Sequence, residues 1–189
     1  MTTKFEHAYV LSVMADDHPG IVAAVSKAVS DLGGNIDACS QTVLSGFFTL
    51  ILIASFPAPM ETEALASAAG GGTATGLQAM ARRFEPPSRP ADQRAECFVI
   101  TAFGKDKPGI VRKFTQYLAG KDINIIDLYG DLDGEDFVLI SQVEIPARWE
   151  IAMLQADLEQ IGGEEGFTVR LQHEGIFVAT NHLRLTPRH

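Results

Sequence analysis

Two stretches of the chain repeat the same order of hydrophobic and polar positions. In the first, an alternating run predicts a strand, and apolar residues at helical spacing then predict a helix. Two strand-like runs follow, joined by Ser45-Gly46, which favours a hairpin because glycine adopts positive φ without steric cost. The predicted elements are a strand over Tyr9–Ala15, a helix over Ile21–Leu32, and strands over Ile36–Val43 and Phe47–Phe56.

A second helix and a last strand complete this first stretch. Met60–Ala69 is rich in alanine and predicts a short helix. Gly70-Gly71-Gly72 interrupts that helix and predicts a flexible loop. Leu77–Phe84 then predicts a strand, so the first stretch is a complete set of six elements.

The second stretch lies 89 positions further along the chain. Pro19-Gly20-Ile21-Val22 falls on Pro108-Gly109-Ile110-Val111, and Tyr9–Pro57 aligns with Phe98–Pro146 without a gap. Such self-similarity indicates a duplicated domain. After a helix that begins near Ile110, the predicted elements are strands over Ile125–Leu132 and Phe137–Ile145 joined at Asp133-Gly134, a helix over Ala147–Ile161 and a strand over Gly166–His173.

The order strand, helix, strand, strand, helix, strand therefore occurs twice. It is the order of the ferredoxin-like (βαββαβ) fold, an α+β arrangement in which two helices cover one face of a four-stranded antiparallel sheet. We predict two such domains in tandem, at residues 5–84 and 97–174. A proline-rich linker at 85–96 separates them, and a tail at 175–189 is predicted to form a short helix packed on the second domain.

The third strand of the first domain is apolar on both of its sides. Phe48, Leu50 and Leu52 alternate with Phe47, Ile51 and Ile53. A solvated sheet face normally alternates apolar with polar residues. We therefore predict that the uncovered face of this sheet, or the edge beside it, packs against the other domain or another subunit. The corresponding strand of the second domain is more polar.

Composition narrows the range of partners. The formal net charge is −9 and the pI is near 4.9, with no cluster of Lys and Arg, which argues against direct binding to nucleic acid. The N-terminus lacks the apolar core of a signal peptide, and no apolar run is long enough to span a membrane. Cys39 and Cys97 are predicted to be free thiols, and the expected location is the cytoplasm.

The two repeated Pro-Gly turns carry the candidate chemistry. Each is predicted to begin a helix, with Asp17 or His18 capping the first and Asp106 or Lys107 capping the second. Glycine leaves room for a ligand near the backbone, and the free N–H groups of a helix start favour an anion. Asn35 and Asn124, fifteen residues after each glycine, are expected to lie near the same turns.

Two interpretations of these residues remain open from the spacing alone. Backbone N–H groups for a carboxylate, together with Asp and Asn oxygens for an ammonium, are what an α-amino acid requires. Alternatively, Asp-x-Pro-Gly is a common helix start and Asn a common turn residue, so both features could be purely structural.

The Asp-x-Pro-Gly-Ile-Val pattern, the helical stripe after it, Asn-Ile at the second strand and the following hairpin resemble those of an ACT domain. The resemblance covers Tyr9–Phe84 and Phe98–His173. It implies small regulatory modules of ferredoxin-like fold whose sheets or edges associate in pairs. It also implies that an amino acid binds between two such modules, near the loop from the first strand to the first helix.

The resemblance implies one ligand site in each repeat. In serine-responsive members of the family, the loop residue two before the proline and the residue that opens the second strand hold the ligand. This chain has Asp17 and Asp106 where the family pattern has Asn, and an ionised Asp suits a ligand ammonium. The copies also differ at Asp16 against Lys105 and at His18 against Lys107, so two inequivalent sites are expected. The candidate ligand-binding residues are Asp17, His18, Pro19, Gly20, Ile21, Asn35, Ile36, Asp106, Lys107, Pro108, Gly109, Ile110, Asn124 and Ile125.

Catalysis has no support in the sequence. The five histidines do not form a close-spaced metal-ligand set, and the cysteines have no accompanying His and Asp pattern. We therefore expect no enzyme activity, no cofactor and no metal. Together with the paired turns, the resemblance implies an amino-acid sensor (for glycine or serine) that regulates the glycine cleavage system or related metabolism as a homodimer or with another protein partner. The alternative is a ligand-free ACT-type interaction module.

Overall fold

The structure is a computed structural model that describes residues 2–70, 76–86 and 95–182. It divides into two compact units, Met1–Ser88 and Arg89–His189. Gly71 and Gly72 of the predicted flexible loop, residues 87–94 of the predicted linker and residues 183–189 of the predicted tail lie outside the described residues.

The two units have the same order of elements. The first contains β1 (His7–Asp16), α1 (Ile21–Asp31), β2 (Asn35–Leu44), β3 (Phe47–Phe56), α2 (Thr62–Ala69) and β4 (Gln78–Arg83). The second contains β5 (Ala95–Lys105), α3 (Ile110–Gly120), β6 (Asn124–Asp133), β7 (Asp136–Pro146), α4 (Ile151–Glu165) and β8 (Phe167–His173). A further helix, α5 (Glu174–His182), follows β8 directly.

Each unit is a four-stranded antiparallel sheet, with strand order β2-β3-β1-β4 in the first and β6-β7-β5-β8 in the second. The predicted fold, two ferredoxin-like repeats in tandem, is confirmed. β2 and β6 are edge strands, exposed along most of their length. Such edges present unpaired backbone groups that can pair with another strand.

Strand alternation and the helical stripe place the core on one side of each sheet. In the first unit, Tyr9, Leu11 and Val13 of β1 pack with Ile21 and the other buried residues of α1. The Tyr9 hydroxyl accepts a hydrogen bond from the Met60 N–H at 2.8 Å, which satisfies the buried polar group and fixes the chain before α2. In the second unit, Phe114 and Leu118 of α3 have the same role.

The bounds of α4 differ from the prediction. The helix was predicted over Ala147–Ile161, but it begins at Ile151 because the Trp149 N–H first closes a turn on the Pro146 carbonyl (3.0 Å). It continues past Ile161 because Gly162 faces β8. A Cβ at Gly162 would lie 2.3 Å from Val169 Cγ2, so only glycine permits this close approach of helix and strand.

The second hairpin is also displaced from its predicted position. Asp133 still pairs with Asp136, so the loop residues are Gly134 and Glu135 and not Asp133-Gly134. Of these two, Gly134 has the positive φ (64°). In the first hairpin, Ser45 and Gly46 both have positive φ (50° and 86°), the pattern of a type I′ turn.

The sheet faces away from α1–α4 differ between the units. The open face of the first sheet carries Ser12, Met14, Phe47, Thr49, Ile51 and Met80. The open face of the second sheet carries Thr101, Phe103, Asp136, Val138, Ile140 and Arg170. Helix α5 contacts β5 and β8, and the Gln142 side chain on this second face donates a hydrogen bond to Glu174 of α5 (2.7 Å).

Candidate functional site

The first candidate turn is tied to the hairpin beside it. β1 ends at Asp16, and the Asp17 N–H donates to the Gly46 carbonyl at 2.8 Å. The side chains of Asp17 and His18 are exposed, and His18 Nδ1 lies 3.0 Å from the Pro19 carbonyl oxygen. The turn is therefore an accessible surface feature held by a backbone contact.

The capping prediction for this turn is wrong. Gly20 occupies the N-cap position in the left-handed conformation (φ 101°), no side chain caps the helix, and α1 begins at Ile21 and not at the Pro-Gly. Glycine is required for this backbone angle, which L side chains adopt only with strain. A Cβ at Gly20 would have no heavy atom within 4 Å, so the space in front of the helix is open.

The second turn has the same backbone. The Asp106 N–H donates to the Glu135 carbonyl at 2.9 Å, and Gly109 is the left-handed N-cap of α3 (φ 90°). Neither Asp106 nor Lys107 caps the helix. The Ile110 N–H donates to the Lys107 carbonyl at 3.2 Å. Geometry and open space are thus repeated, and the difference between the turns lies in their side chains.

Asn35 and Asn124 do not lie near the turns of their own units. Asp16 pairs with Phe47 on β3, whereas Asn35 pairs with Ser55, eight residues further along the same strand. At about 3.3 Å per residue the separation is roughly 26 Å. The reason is the crossover: α1 runs back along the sheet, so β2 begins at the end where β1 begins.

Asn124 is equally remote from its turn. It pairs with Glu144, eight residues along β7 from Asp136, the partner of Lys105. The predicted site residues therefore form two separate groups in each unit, a turn group and a strand-start group. Ile21 and Ile110 are buried in the cores, and Ile36 and Ile125 pack against them, so these four side chains serve the fold.

Asn35 belongs to a polar cluster at the start of β2. Its side-chain Nδ2 donates to Asp37 Oδ1 (2.8 Å) and to the Ile36 carbonyl (3.2 Å), and the Lys4 N–H also donates to Asp37 Oδ1 (3.0 Å). Burial raises the pKa of Asp37, but hydrogen bonds from Ser55, Lys4 and Asn35 outweigh it and hold that pKa below its usual value. Asp37 thus stays ionised and orients Asn35.

Asn124 has a different partner, because Ile126 stands where the first repeat has Asp37. Its Nδ2 donates to Glu144 Oε2 on the neighbouring strand at 3.1 Å. Both asparagine side chains are therefore held by carboxylates. In the first unit the carboxylate lies on the same strand, β2, and in the second unit it lies on the neighbouring strand, β7.

Charge distinguishes the two turns most clearly. The first turn is flanked by the exposed carboxylates of Asp16 and Asp17. At the second turn, Lys105 Nζ lies 2.6 Å from Glu135 Oε2, and Lys107 Nζ lies 3.6 Å from Glu165 Oε2. Lys113 also pairs with Glu165, and this hydrogen bond is the main reason why the pKa of Glu165 is lowered.

Glu135, Glu165 and Asp37 were not among the predicted site residues. No local pattern in the sequence marks them, since their partners lie 18 residues or more away in all but one case. The exception is the Asn35–Asp37 pair, whose i, i+2 spacing at a strand start could have drawn attention to it.

Two searches of the described residues bear on other kinds of site. Residues 2–70, 76–86 and 95–182 contain no group of three or more His, Cys, Asp or Glu side chains placed to hold a metal ion. Across the same ranges, none of the helices is long and apolar enough to cross a membrane.

The fold and the paired turns define a class: duplicated ferredoxin-like modules. Comparison with known proteins specifies the family. The ACT domain family matches residues 96–172. The UPF0237 protein of Methanococcus maripaludis is 39% identical over 83 residues, which span 43% of this chain and 92% of that relative. The chain belongs to the ACT domain family, as a tandem ACT protein.

Solved structures cover both repeats at once. An unknown protein from Galdieria sulphuraria is 25% identical, with a TM-score of 0.72 over 88% of this chain and 98% of its own. A candidate glycine cleavage system transcriptional repressor is 19% identical, with a TM-score of 0.63 over 89% of this chain and 98% of its own. At that identity, the second likeness shows the fold alone.

Proposed function

We propose that the chain is an amino-acid-responsive regulatory protein whose working ligand site is the turn between β1 and α1. The observation that carries this proposal is the open helix start at Gly20, with the exposed carboxylate of Asp17 beside it. The first intrahelical hydrogen bond runs from the Ala24 N–H to the Gly20 carbonyl (2.9 Å). The amides before Ala24 are those that a ligand carboxylate can accept hydrogen bonds from.

The charge at this turn suits the other end of an amino acid. An ionised Asp accepts hydrogen bonds and cannot donate, so Asp17 fits a ligand ammonium. At the second turn Lys105 and Lys107 flank Asp106, and their ion pairs with Glu135 and Glu165 leave that turn without the excess negative charge of the first. We therefore assign ligand binding to the first turn. A small ligand such as glycine or serine fits a shallow surface turn.

The asparagine contribution requires a second copy of the chain. β2 is an exposed edge strand, and an antiparallel pairing of two β2 strands in full register would set Asn35 opposite Leu44 of the other copy. Leu44 adjoins the hairpin whose Gly46 carbonyl holds Asp17. Edge pairing of two copies would thus bring Asn35 of one to the turn of the other.

Regulation would then act through association. A ligand at the junction of two copies stabilises the paired state, because it binds that state and not the separated one. With a net charge of −9, the chain acts through a protein partner and not through contact with DNA. Control of the glycine cleavage system or of related amino-acid metabolism in the cytoplasm is the role we propose.

Calorimetric titration with the proteinogenic amino acids tests this proposal. We expect binding by the wild type, and a loss of roughly ten- to hundred-fold in affinity for Asp17→Ala, since a hydrogen bond to a charged group contributes about 1.5–3 kcal/mol. Asp106→Ala, the same change at the equivalent turn, is the matched control and should leave the affinity unchanged. Absence of any binding heat for the wild type would contradict the proposal.

A ligand-free interaction module is the second candidate, and one observation favours it. The side chains of Asn35 and Asn124 are already engaged within their own units, by Asp37 and Glu144. If the chain is such a module, Asn35→Ala lowers the melting temperature because Asp37 loses the hydrogen bond from Asn35. No amino acid then shifts the melting temperature of the wild type or of Asn35→Ala. A ligand-induced rise for the wild type that Asn35→Ala abolishes would exclude it.

A further inference from the structure

We propose that the open face of the first sheet is a self-association surface that packs against the same face of a second copy of this chain. This face is distinct from the β2 edge invoked for the ligand site. Its exposed apolar side chains are large: Met14 is 47% exposed, Ile51 50%, Phe47 57% and Met80 72%. Contiguous exposed apolar surface of this kind marks interaction sites.

The face is also indented. A cleft of about 430 Å³ crosses it, and side chains from all four strands line the cleft, among them Ser12, Met14, Thr42, Ile51, Gln78 and Met80. The two methionines that line the cleft can adjust to an opposing surface, because the methionine side chain is unbranched and flexible.

The second repeat shows that the fold itself does not require this apolar surface. At several equivalent positions the second sheet has charged residues or a helix as cover, although Phe103, Val138 and Ile140 keep the positions of Met14, Thr49 and Ile51 apolar. Four aspartates, at 127, 131, 133 and 136, stand where the first sheet has Ala38, Thr42, Leu44 and Phe47, and Arg170 stands at the position of Met80. Helix α5 covers part of the second face, where the Gln142 side chain donates a hydrogen bond to Glu174 of the helix (2.7 Å).

The charge pattern points to a second copy as the occupant. All twelve residues that line the cleft are neutral, although the chain carries a net charge of −9. Two copies can therefore approach through this face with less repulsion than through the acidic remainder of the surface. A two-fold axis makes such a contact self-complementary, since each copy contributes the same patch.

The rim of the face is complementary to itself. Asp16 follows Met14 on the same side of β1, and Arg82 lies on the same side of β4, level with Val10. A two-fold axis across the strands near Val13 places Arg82 of each copy over the end of the sheet that carries Asp16 of the other. The two-fold pairing thus adds two exposed ion pairs to an apolar centre.

Sedimentation velocity over a wide concentration range tests this inference. Met14→Glu and Phe103→Glu are a matched pair: they make the same kind of change at equivalent positions on the two open faces, and both residues are about half exposed (47% and 52%). We expect Met14→Glu to halve the mass of the largest assembly of the wild type, and Phe103→Glu to leave it unchanged. Thermal denaturation confirms that each variant folds.

A charge exchange probes the rim. Arg82→Asp should weaken the association, and the double variant Asp16→Arg/Arg82→Asp should restore it. Equal masses for the wild type, Met14→Glu and Phe103→Glu would overturn the proposal, as would equal dissociation of both variants. Equal masses for all three proteins are what we expect if the face binds an unrelated protein or another part of the same chain.

The proposal of this surface and the proposal of the ligand site can be contradicted independently. Met80→Glu lies on the open face and away from Asp17 and Asn35, so it should halve the mass while the calorimetric response to the amino acid persists. Loss of the ligand response in the wild type leaves the mass comparison intact.

Discussion

The two strand-to-helix turns have the same backbone and different electrostatics. Gly20 and Gly109 adopt nearly the same left-handed conformation, and Asp17 and Asp106 make the same hydrogen bond to a hairpin carbonyl. The first turn carries exposed carboxylates, whereas the second is joined by ion pairs to Glu135 and Glu165. Duplication has thus kept the geometry that folding requires, and the side chains that meet solvent have diverged.

The open sheet faces diverge in the same way. One is neutral and apolar, and the other is acidic and partly covered by α5. Apolar side chains at Phe47 and Met80 in one repeat are replaced by Asp136 and Arg170 in the other, so apolar residues at these positions are not a requirement of the fold. Features that both repeats share are therefore those that the fold requires, and surface features that differ between them are candidates for partner binding. Variants at equivalent positions of the two repeats test this distinction.

The largest expected effect is in the cores, where the repeats fill one position in two ways. Ile123 is 5% exposed in the second core, and its counterpart in the first unit is Gly34. Ile123→Ala should lower the free energy of unfolding by about 2–5 kcal/mol, because the deleted methyl groups leave a cavity. Chemical denaturation followed by the fluorescence of Trp149, the single tryptophan, measures the second unit specifically.

Gly34 should show the reverse sensitivity. A Cβ there would lie 2.4 Å from the ring of Phe56, which is fully buried and packs edge-on against Tyr9 at 5.9 Å. Gly34→Ala should therefore cost about 1–3 kcal/mol by overpacking. Phe56→Ile, the residue of the second repeat, should restore part of that loss in the double variant. Additive effects of the two changes in circular-dichroism denaturation would contradict this coupling.

The turn glycines should behave alike in stability and differently in function. Gly20→Ala and Gly109→Ala each force a Cβ into the left-handed region, at a cost of about 1–2 kcal/mol. Because both sites are open, that backbone cost is the whole expected effect on the free energy of unfolding. Calorimetry should nevertheless show amino-acid binding lost in Gly20→Ala alone. Equal loss in both would mean that the turns are equivalent sites.

The sequence predicted the elements well because their physical causes are local. Alternation in β1 and the stripe from Ile21 through Val25 record which side chains are buried, and the repeat located the second set without a gap. Positive φ has a weaker local signature: Gly33 takes it after α1, but its counterpart after α3 is Asp122 (φ 56°), which no glycine marks.

The site was predicted less well than the fold. The sequence correctly predicted that Asn35 lies at the start of β2, but it placed Asn35 at the wrong end of the sheet. The helix between Gly20 and Asn35 carries the chain back to the end of the sheet where β1 begins. The ion pairs of Glu135 and Glu165 depend on tertiary contacts, so no pattern of neighbours predicts them. Local propensity therefore identified the turn as a feature, and only the three-dimensional structure showed what surrounds it.

The smallest expected effect is a dependence on pH that differs between the repeats. The Lys113 hydrogen bond lowers the pKa of Glu165 in the second unit, and position 165 lies in the repeat that contains Trp149. A lowered folded-state pKa stabilises the fold above the pKa of the unfolded chain, and this contribution is lost as the pH falls through the folded value. Glu165 is ionised at pH 7 in both states, so the loss is expected in the acid range.

Glu165→Gln removes this titration and should make the second unit less stable at pH 7, with a smaller further loss on acidification than the wild type. Asp37→Asn is the matching change in the first unit, where the pKa of the carboxyl is also held low. Tryptophan fluorescence during denaturation at pH 7 and in mild acid should respond to Glu165→Gln, whereas circular dichroism should report both. If the fluorescence transition has the same pH dependence in wild type and Glu165→Gln, the ion pairs at the second turn do not stabilise it, and the electrostatic contrast between the turns must be sought in ligand binding alone.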